Sequence, residues 1–210
     1  MIKAYIFDVD GVLINSEKYY HQLRMDFFDS VGEVPKASGL DDLVGRSLDD
    51  GWKMMVPDRN KREKLMPEFI KYWKANNIDF PKYVNPYVLE VLTRLKADGN
   101  VLAIASAGVI EEIDRMVLEC GFSGLFDQII SGESVKHNKP APDIYIESVK
   151  RLRINATRCI AIEDSQHGIA AAKGAGLTTW AVHYPEYHID QTAADIVFNG
   201  FEDINRYITK

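Results

Sequence analysis

Cysteine is scarce in this sequence, long apolar runs are missing, and positive charge is not in excess. The 210 residues include two cysteines, Cys120 and Cys159, and each lies within an apolar pattern that predicts a small buried side chain. We therefore expect neither a disulfide framework nor a cysteine-ligated metal site. No apolar run approaches the roughly 18 residues that a membrane-spanning helix requires, so we expect no transmembrane segment.

Acidic residues outnumber basic ones, with 31 Asp and Glu against 25 Lys and Arg and a net charge of −6. Nucleic acids and anionic membranes bind basic protein faces, so we expect neither as a partner. A small anionic metabolite needs only a local positive site and is not excluded. No secretory leader pattern precedes the first predicted strand, and we expect a reduced, soluble, cytoplasmic protein that is a monomer.

The order of the predicted elements indicates the fold class. From residue 84 onward, short apolar runs that predict buried strands alternate with amphipathic patterns that predict helices. This alternation is typical of an α/β fold with a parallel sheet covered by helices on both faces. Between Leu13 and Phe80 the patterns are helical only. We therefore predict a small helical domain at 15–83, inserted into a core domain formed by 1–14 and 84–210.

Two carboxylates follow the first predicted strand, which begins near Ala4. Asp8 and Asp10 lie two residues apart, and such residues in an extended segment point to the same side, while Gly11 lets the chain turn away. Adjacent carboxylates repel each other unless a cation lies between them, and Mg²⁺ accepts a sparse carboxylate set completed by water and phosphate. The alternative is an ordinary turn rich in Asp and Gly.

Further polar side chains follow later predicted strands, at Ser106, Lys139, Glu163 and Asp164. The carboxyl ends of parallel strands share one edge of the sheet, where ligands bind. A set of carboxylates with one lysine and one hydroxyl suits a site shared by Mg²⁺ and a phosphate group. Each residue taken singly also has an ordinary explanation, as a helix cap, a solvated lysine or an acidic residue at a helix start.

Four segments of the chain, in this order, match the motifs of a known family. They are Asp8-Val9-Asp10-Gly11-Val12, Ser106, Lys139-Pro140-x-Pro142-Asp143-Ile144-Tyr145 and Glu163-Asp164-Ser165-x-x-Gly168. In these segments the chain resembles the haloacid dehalogenase superfamily, on the branch that contains β-phosphoglucomutase and phosphoglycolate phosphatase. The resemblance covers nearly the whole chain. It implies a Rossmann-like core with an inserted helical cap domain, which agrees with the predicted order of elements.

The resemblance also implies a role for each motif residue. Asp8 would attack phosphorus and form an aspartyl-phosphate, and Asp10 would protonate the leaving alkoxide and then deprotonate the attacking water. The implied Mg²⁺ ligands are carboxylates and one backbone carbonyl, from Asp8, Asp164, Glu163 and Asp10. The implied phosphate-binding groups are a hydroxyl, a backbone amide and an ammonium, from Ser106, Ala107 and Lys139.

Departures from the mutase pattern favour a phosphatase that acts on a small phosphate monoester. The polar run that follows the serine of the second motif in mutases is replaced by Ala107-Gly108-Val109-Ile110, and Leu48 stands where the mutase cap loop has Arg. A histidine common early in the first cap helix is replaced by Tyr20, and Asn15 stands where Asp is usual. The alternatives are a phosphomutase and a non-catalytic binding protein. Arg46 is the predicted substrate contact of the cap, and roles for His21, His137 and His167 stay open.

Overall fold

The structure of the chain, a computed structural model, describes residues 2–43, 48–186 and 188–208. The chain divides into two compact units, a discontinuous unit and a continuous one: Met1–Asn15 with Phe80–Lys210, and Ser16–Asp79. No helix within the described ranges is long and apolar enough to cross a membrane.

The described residues form nine α-helices. The first four lie in the continuous unit and the other five in the discontinuous one. In chain order they are α1 (Glu17–Ser30), α2 (Leu40–Leu43), α3 (Leu48–Met55), α4 (Arg59–Ala75), α5 (Val88–Ala97), α6 (Ile110–Glu119), α7 (Asp143–Leu152), α8 (Gln166–Gly174) and α9 (Phe201–Ile208).

The discontinuous unit contains one parallel sheet. The strands within the described residues are, in chain order, β1 (Ala4–Phe7), β2 (Val101–Ser106), β3 (Gln128–Ser131), β4 (Cys159–Glu163), β5 (Thr178–Val182) and β6 (Ile196–Phe198). They are arranged in the order β3-β2-β1-β4-β5-β6, and each neighbouring pair is parallel. The predicted α/β fold with a parallel sheet is confirmed.

Strand β1 lies at the centre of this sheet because its side chains are apolar on both faces, and all four residues are buried. Phe7 pairs with Ile104 of β2 on one side and with Ile162 of β4 on the other. The strand order reverses at β1, which is the place where open α/β sheets bind ligands. The residues after β1 therefore lie between the ends of β2 and β4.

Small side chains let α7 and α8 pack closely on the sheet. Ala171 and Ala172 of α8 belong to a buried cluster with Ala161 of β4, Ala103 of β2 and Ile144 of α7. Alanine combines a high helix propensity with little volume, so the backbone of α8 can lie close to the strands. This packing fixes the start of α8 immediately after the end of β4.

The continuous unit is held together by aromatic side chains. Phe27 and Phe28 of α1, Trp52 of α3 and Phe69 of α4 are buried together, and the ring centroids of Trp52 and Phe69 lie 5.1 Å apart. Aromatic rings dominate the burial energy of small cores. Leu43, Met55, Val56 and Leu65 complete this buried cluster.

Side-chain hydrogen bonds bear on where two of the helices begin. Helix α4 begins at Arg59, because the Asp58 carboxylate accepts a hydrogen bond from the Lys61 backbone N–H at 2.7 Å, and Pro67 lies within this helix. Helix α5 begins at Val88 rather than at Asn85. The Asn85 amide instead donates to the Val12 carbonyl at 2.6 Å and is buried there.

Candidate active site

The chain turns sharply after β1 and brings the first motif against the end of β4. The backbone of Asp8 continues the pairing of β1 with β4, because its N–H donates to the Ile162 carbonyl at 3.0 Å. Gly11 has a φ of 74°, and a Cβ atom at this position would overlap with the carboxyl group of Asp164. Glycine is therefore required at position 11 both for the backbone conformation and for the close approach to Asp164.

Lys139 lies at the centre of the site. Its Nζ is 2.8 Å from Asp8 Oδ1 and 2.7 Å from Glu163 Oε1, and it donates a third hydrogen bond to the Ala105 carbonyl at 3.0 Å. The side chain is 8 % exposed. Burial lowers the pKa of Lys139, but the negative charges of Asp8 and Glu163 outweigh burial and hold the pKa above its ordinary value. The ammonium is therefore a fixed positive charge.

Asp8 is the buried partner of Lys139 at the end of β1. Burial raises the pKa of Asp8 above its ordinary value, and the positive charge of Lys139 opposes this rise. The negative charge of Glu163 adds to it. A divalent cation beside Asp8 would favour the carboxylate form, because a bound metal ion is the largest local charge in such a site.

Glu163 is completely buried and accepts hydrogen bonds at both carboxylate oxygens. Oε1 accepts from Lys139 and from the Tyr145 hydroxyl, both at 2.7 Å. Oε2 accepts from the Asp164 backbone N–H at 3.2 Å and from the Ser165 hydroxyl at 3.3 Å. Burial and the charge of Glu163 raise the pKa of Tyr145 well above its ordinary value, so its hydroxyl remains a donor. Glu163 therefore fixes Lys139 in place.

Three carboxylates come together at the ends of β1 and β4. One oxygen from each of Asp8, Glu163 and Asp164 lies within 4.8 Å of the others, and all three residues are buried. A compact set of oxygen donors fits Mg²⁺, which prefers such ligands and keeps several waters. Among the described residues the Asp10 carboxylate is not part of this cluster. Asp10 lies partly exposed in the turn after Asp8, where its backbone bridges to Ile14.

The end of β2 supplies the predicted phosphate-binding residues. Ser106 is 2 % exposed, and its hydroxyl oxygen accepts a hydrogen bond from the Gly108 backbone N–H at 3.1 Å. This bond closes a tight turn in which Ala107 is exposed. Gly132 allows the turn to approach the next loop, because a Cβ there would lie 2.8 Å from the Ala107 carbonyl oxygen. Ser106 and Lys139 are joined through β2, since Lys139 donates to the neighbouring Ala105 carbonyl.

The remaining predicted residues lie apart from this cluster or outside the described residues. Arg46 falls outside the described residues. His21 bonds through Nε2 to the Ser38 carbonyl at 2.8 Å within the continuous unit. His137 Nδ1 lies 3.0 Å from an Asp143 carboxylate oxygen at the start of α7, which is an exposed structural contact. His167 is partly buried in α8.

Two residues of the site have no role in the sequence analysis. Tyr145 is part of the third motif, and its place in that motif is the sequence signal that links it to Lys139. Its bond to the Glu163 carboxylate is seen only in the structure. Gln191 donates from Nε2 to the Asp164 carbonyl at 2.5 Å. Nothing in the sequence pattern around Gln191 indicates this contact, because it joins residues 27 positions apart.

Comparison with known proteins gives a consistent result. A family model for haloacid dehalogenase-like hydrolases matches residues 5–182. Hexitol phosphatase B of Escherichia coli (strain K12) is 27 % identical over 209 residues, which cover 97 % of this chain and 94 % of that protein. A "phosphorylated carbohydrates phosphatase" of Thermotoga maritima is 29 % identical over 193 residues, covering 84 % of this chain and 82 % of the relative.

Solved structures show the same fold. A "predicted phosphoglycolate phosphatase" from Haemophilus somnus superimposes with a TM-score of 0.84 at 24 % identity. The superposition covers 100 % of this chain and 98 % of that one. At this identity the likeness concerns the fold alone.

Proposed function

The chain belongs to the haloacid dehalogenase-like hydrolase family, and we propose that it is a Mg²⁺-dependent phosphatase that hydrolyses a small phosphate monoester through an aspartyl-phosphate. The observation that carries this proposal is the buried ammonium of Lys139, held between Asp8 and Glu163 at 2.8 and 2.7 Å. A fixed positive charge beside a carboxylate at the edge of the sheet suits a phosphate dianion that is attacked by that carboxylate.

Asp8 is proposed as the nucleophile. Its carboxylate Oδ2 would attack phosphorus while Oδ1 stays paired with Lys139, so the side chain is oriented before substrate arrives. The same ammonium would neutralise charge on the phosphoryl oxygens, assisted by the Ser106 hydroxyl and the Ala107 backbone N–H at the end of β2. The P–O bond to the leaving group breaks as the bond to Asp8 forms.

Asp10 is proposed as the general acid and base. It follows Asp8 by two residues, is partly exposed, and its carboxylate lies outside the described carboxylate cluster. Asp10 would donate a proton to the leaving oxygen in the first step. It would then remove a proton from the water that attacks the aspartyl-phosphate.

Asp8, Asp164 and Glu163, together with the Asp10 carbonyl, are the residues proposed to hold Mg²⁺. When bound, this cation would reduce the repulsion between the attacking carboxylate and the phosphate dianion. Glu163 also accepts bonds from Lys139 and Tyr145 at 2.7 Å. In this proposal Glu163 therefore has a second role, which is to orient Lys139.

The substrate is proposed to be a sugar phosphate or a similar metabolite. Two relatives with more than four fifths of this chain aligned are named as phosphatases of hexitols and of phosphorylated carbohydrates. The continuous unit is proposed as the cap domain, with Arg46 as its substrate contact.

The test is Asp8→Asn, with the exposed Asp114→Asn on α6 as the matched control. With a panel of sugar and polyol phosphates, the parent and Asp114→Asn should release inorganic phosphate, whereas Asp8→Asn should release none while retaining the parent's circular dichroism spectrum. Isomerised sugar phosphate without phosphate release would support a phosphomutase instead. Binding of the panel without any turnover by the parent would support a non-catalytic binding protein.

A further inference from the structure

Gln191 is a buried polar residue in the loop between β5 and β6. It is 7 % exposed, and its side-chain amide donates to two backbone carbonyls, that of Asp164 at 2.5 Å and that of Val182 at 2.8 Å. The amide oxygen Oε1 is also buried and has no hydrogen-bond partner within the described residues. Burying an amide oxygen without a hydrogen bond destabilises the folded protein. The two hydrogen bonds that the amide nitrogen donates offset this cost.

The two acceptors of Gln191 lie at the ends of neighbouring strands. Val182 is the last residue of β5, and Asp164 follows the last residue of β4. Both carbonyls require a donor, and an amide nitrogen supplies two. A carboxylate at position 191 would supply none, and a hydrophobic side chain would leave both carbonyls buried without these partners. The residue type is therefore set by the backbone that it joins.

Asp164 is held on both sides of its Cα atom. Its backbone N–H donates to Glu163 Oε2 at 3.2 Å, and its carbonyl accepts from Gln191. Fixing both peptide groups fixes φ and ψ of the residue, and these angles set the direction in which the side chain leaves the backbone. Asp164 is 3 % exposed, and its carboxylate lies in the cluster with Asp8 and Glu163.

We propose that Gln191 is a positioning residue for the metal site, which holds the Asp164 backbone so that the Asp164 carboxylate faces Asp8 and Glu163. This inference rests on the proposed function, because it assigns Asp164 as a Mg²⁺ ligand. Groups that orient metal ligands from outside the ligand set strengthen metal binding, and their removal weakens it by about 10–100-fold.

The test compares Gln191→Met with Thr192→Val. Met keeps the length of the side chain but has no N–H donor, and Gln191→Glu is the second variant if Met prevents folding. Thr192 is the neighbouring residue, and its hydroxyl donates to Asp190 at 2.7 Å on the exposed side of the same loop, so Thr192→Val disturbs the loop without touching Asp164. Mg²⁺ binding to each metal-free protein is measured by isothermal titration calorimetry, together with the melting temperature and the Mg²⁺ dependence of turnover.

The expected result is that Gln191→Met binds Mg²⁺ about tenfold more weakly than the parent, with little loss of turnover at saturating Mg²⁺, while Thr192→Val binds as the parent does. Parent-like Mg²⁺ affinity in Gln191→Met or Gln191→Glu, whatever the melting temperature, would overturn the positioning role and leave the proposed function intact. Absence of Mg²⁺ binding by the parent would overturn the metal-dependent function, and this inference with it.

Discussion

Substitution of Gly168 tests whether the buried Glu163 carboxylate organises the site. Gly168 lies in α8, where alanine would ordinarily stabilise the helix by about 0.8–1.0 kcal/mol. At this position a Cβ would lie closer than 3.0 Å to the carboxyl carbon and both oxygens of Glu163. Glu163 is buried and bonded to Lys139, Tyr145, the Asp164 N–H and the Ser165 hydroxyl, so its carboxylate has nowhere to move without losing partners.

The expected magnitude follows from these two opposing effects. Breaking a buried ion pair costs about 3–5 kcal/mol, and the higher helix propensity of alanine returns about 1 kcal/mol of this. The free energy of unfolding of Gly168→Ala should therefore be lower than that of the parent by about 2–4 kcal/mol. The displaced carboxylate also releases Lys139, and phosphatase activity should fall with stability. The matched control is Gly51→Ala in α3, where the new Cβ would meet the Leu43 side chain at 3.8 Å, an ordinary contact, and should stabilise the protein.

Urea unfolding and steady-state kinetics of both variants provide the measurement. Gly168→Ala should have a lower unfolding midpoint and reduced kcat/KM, whereas Gly51→Ala should have a midpoint at or above that of the parent with unchanged activity. If Gly168→Ala is as stable and as active as the parent, the Glu163 carboxylate does not hold the site as described.

Three other predictions concern single groups of the site. Asp10→Asn should slow phosphoryl transfer from an alkyl phosphate by about 10²–10⁴-fold and much less from p-nitrophenyl phosphate, whose leaving group needs no proton; equal losses in rapid-mixing experiments would remove the acid role. Chelation of divalent metal should abolish turnover, and Mg²⁺ but not Ca²⁺ should restore it, because Ca²⁺ takes more ligands at longer distances; full activity in excess chelator would contradict the metal role. Tyr145→Phe should cost about 1.5–3 kcal/mol in urea unfolding through loss of the bond to Glu163, whereas the exposed Tyr207→Phe should cost little, and equal midpoints would contradict this contact.

The fold could be predicted from the sequence because its signals are local. Apolar runs such as Ala4–Phe7 predict strands, and the helical patterns between them end at glycines. Each of these patterns lies within a short stretch of the sequence and can be recognised without knowledge of the rest. The rule that ligands bind at the carboxyl ends of parallel strands then predicts that Asp8, Ser106 and Asp164 lie at one edge of the sheet. The strand order itself comes from the structure, where β1 lies between β2 and β4.

The contacts within the site could not be predicted in the same way, because they join residues far apart in the chain. Lys139 and Glu163 are 24 positions apart, and Tyr145 and Glu163 are 18 apart. A sequence pattern indicates that each belongs to a motif but not which oxygen each one contacts. The hydrogen bond from Gln191 to the Asp164 carbonyl leaves no trace in the sequence, because every residue has a backbone carbonyl and the identity of the acceptor residue therefore carries no information.

Helix starts show a similar limit on a smaller scale. Asn85 followed by Pro86 is a favourable start for a helix, yet Asn85 is drawn into a buried bond with the Val12 carbonyl, and α5 begins three residues later. A tertiary hydrogen bond therefore outweighs the local capping preference. Ser165 behaves as its sequence predicts, because its hydroxyl accepts from the Gly168 N–H at 3.0 Å at the start of α8.

The central claim is that Asp8 becomes phosphorylated during turnover, and trapping that species tests it most directly. The protein is mixed rapidly with p-nitrophenyl phosphate and Mg²⁺, quenched in acid, and digested for mass spectrometry. Asp10→Asn is treated in parallel, because with this leaving group its aspartyl-phosphate forms without the acid but is hydrolysed slowly, and should therefore accumulate. We predict one added phosphoryl group, sensitive to hydroxylamine, on the peptide that contains Asp8, with a higher occupancy in Asp10→Asn than in the parent. Continued turnover with no phosphoryl group on Asp8 in either protein, or with the group on a different residue, would contradict the mechanism.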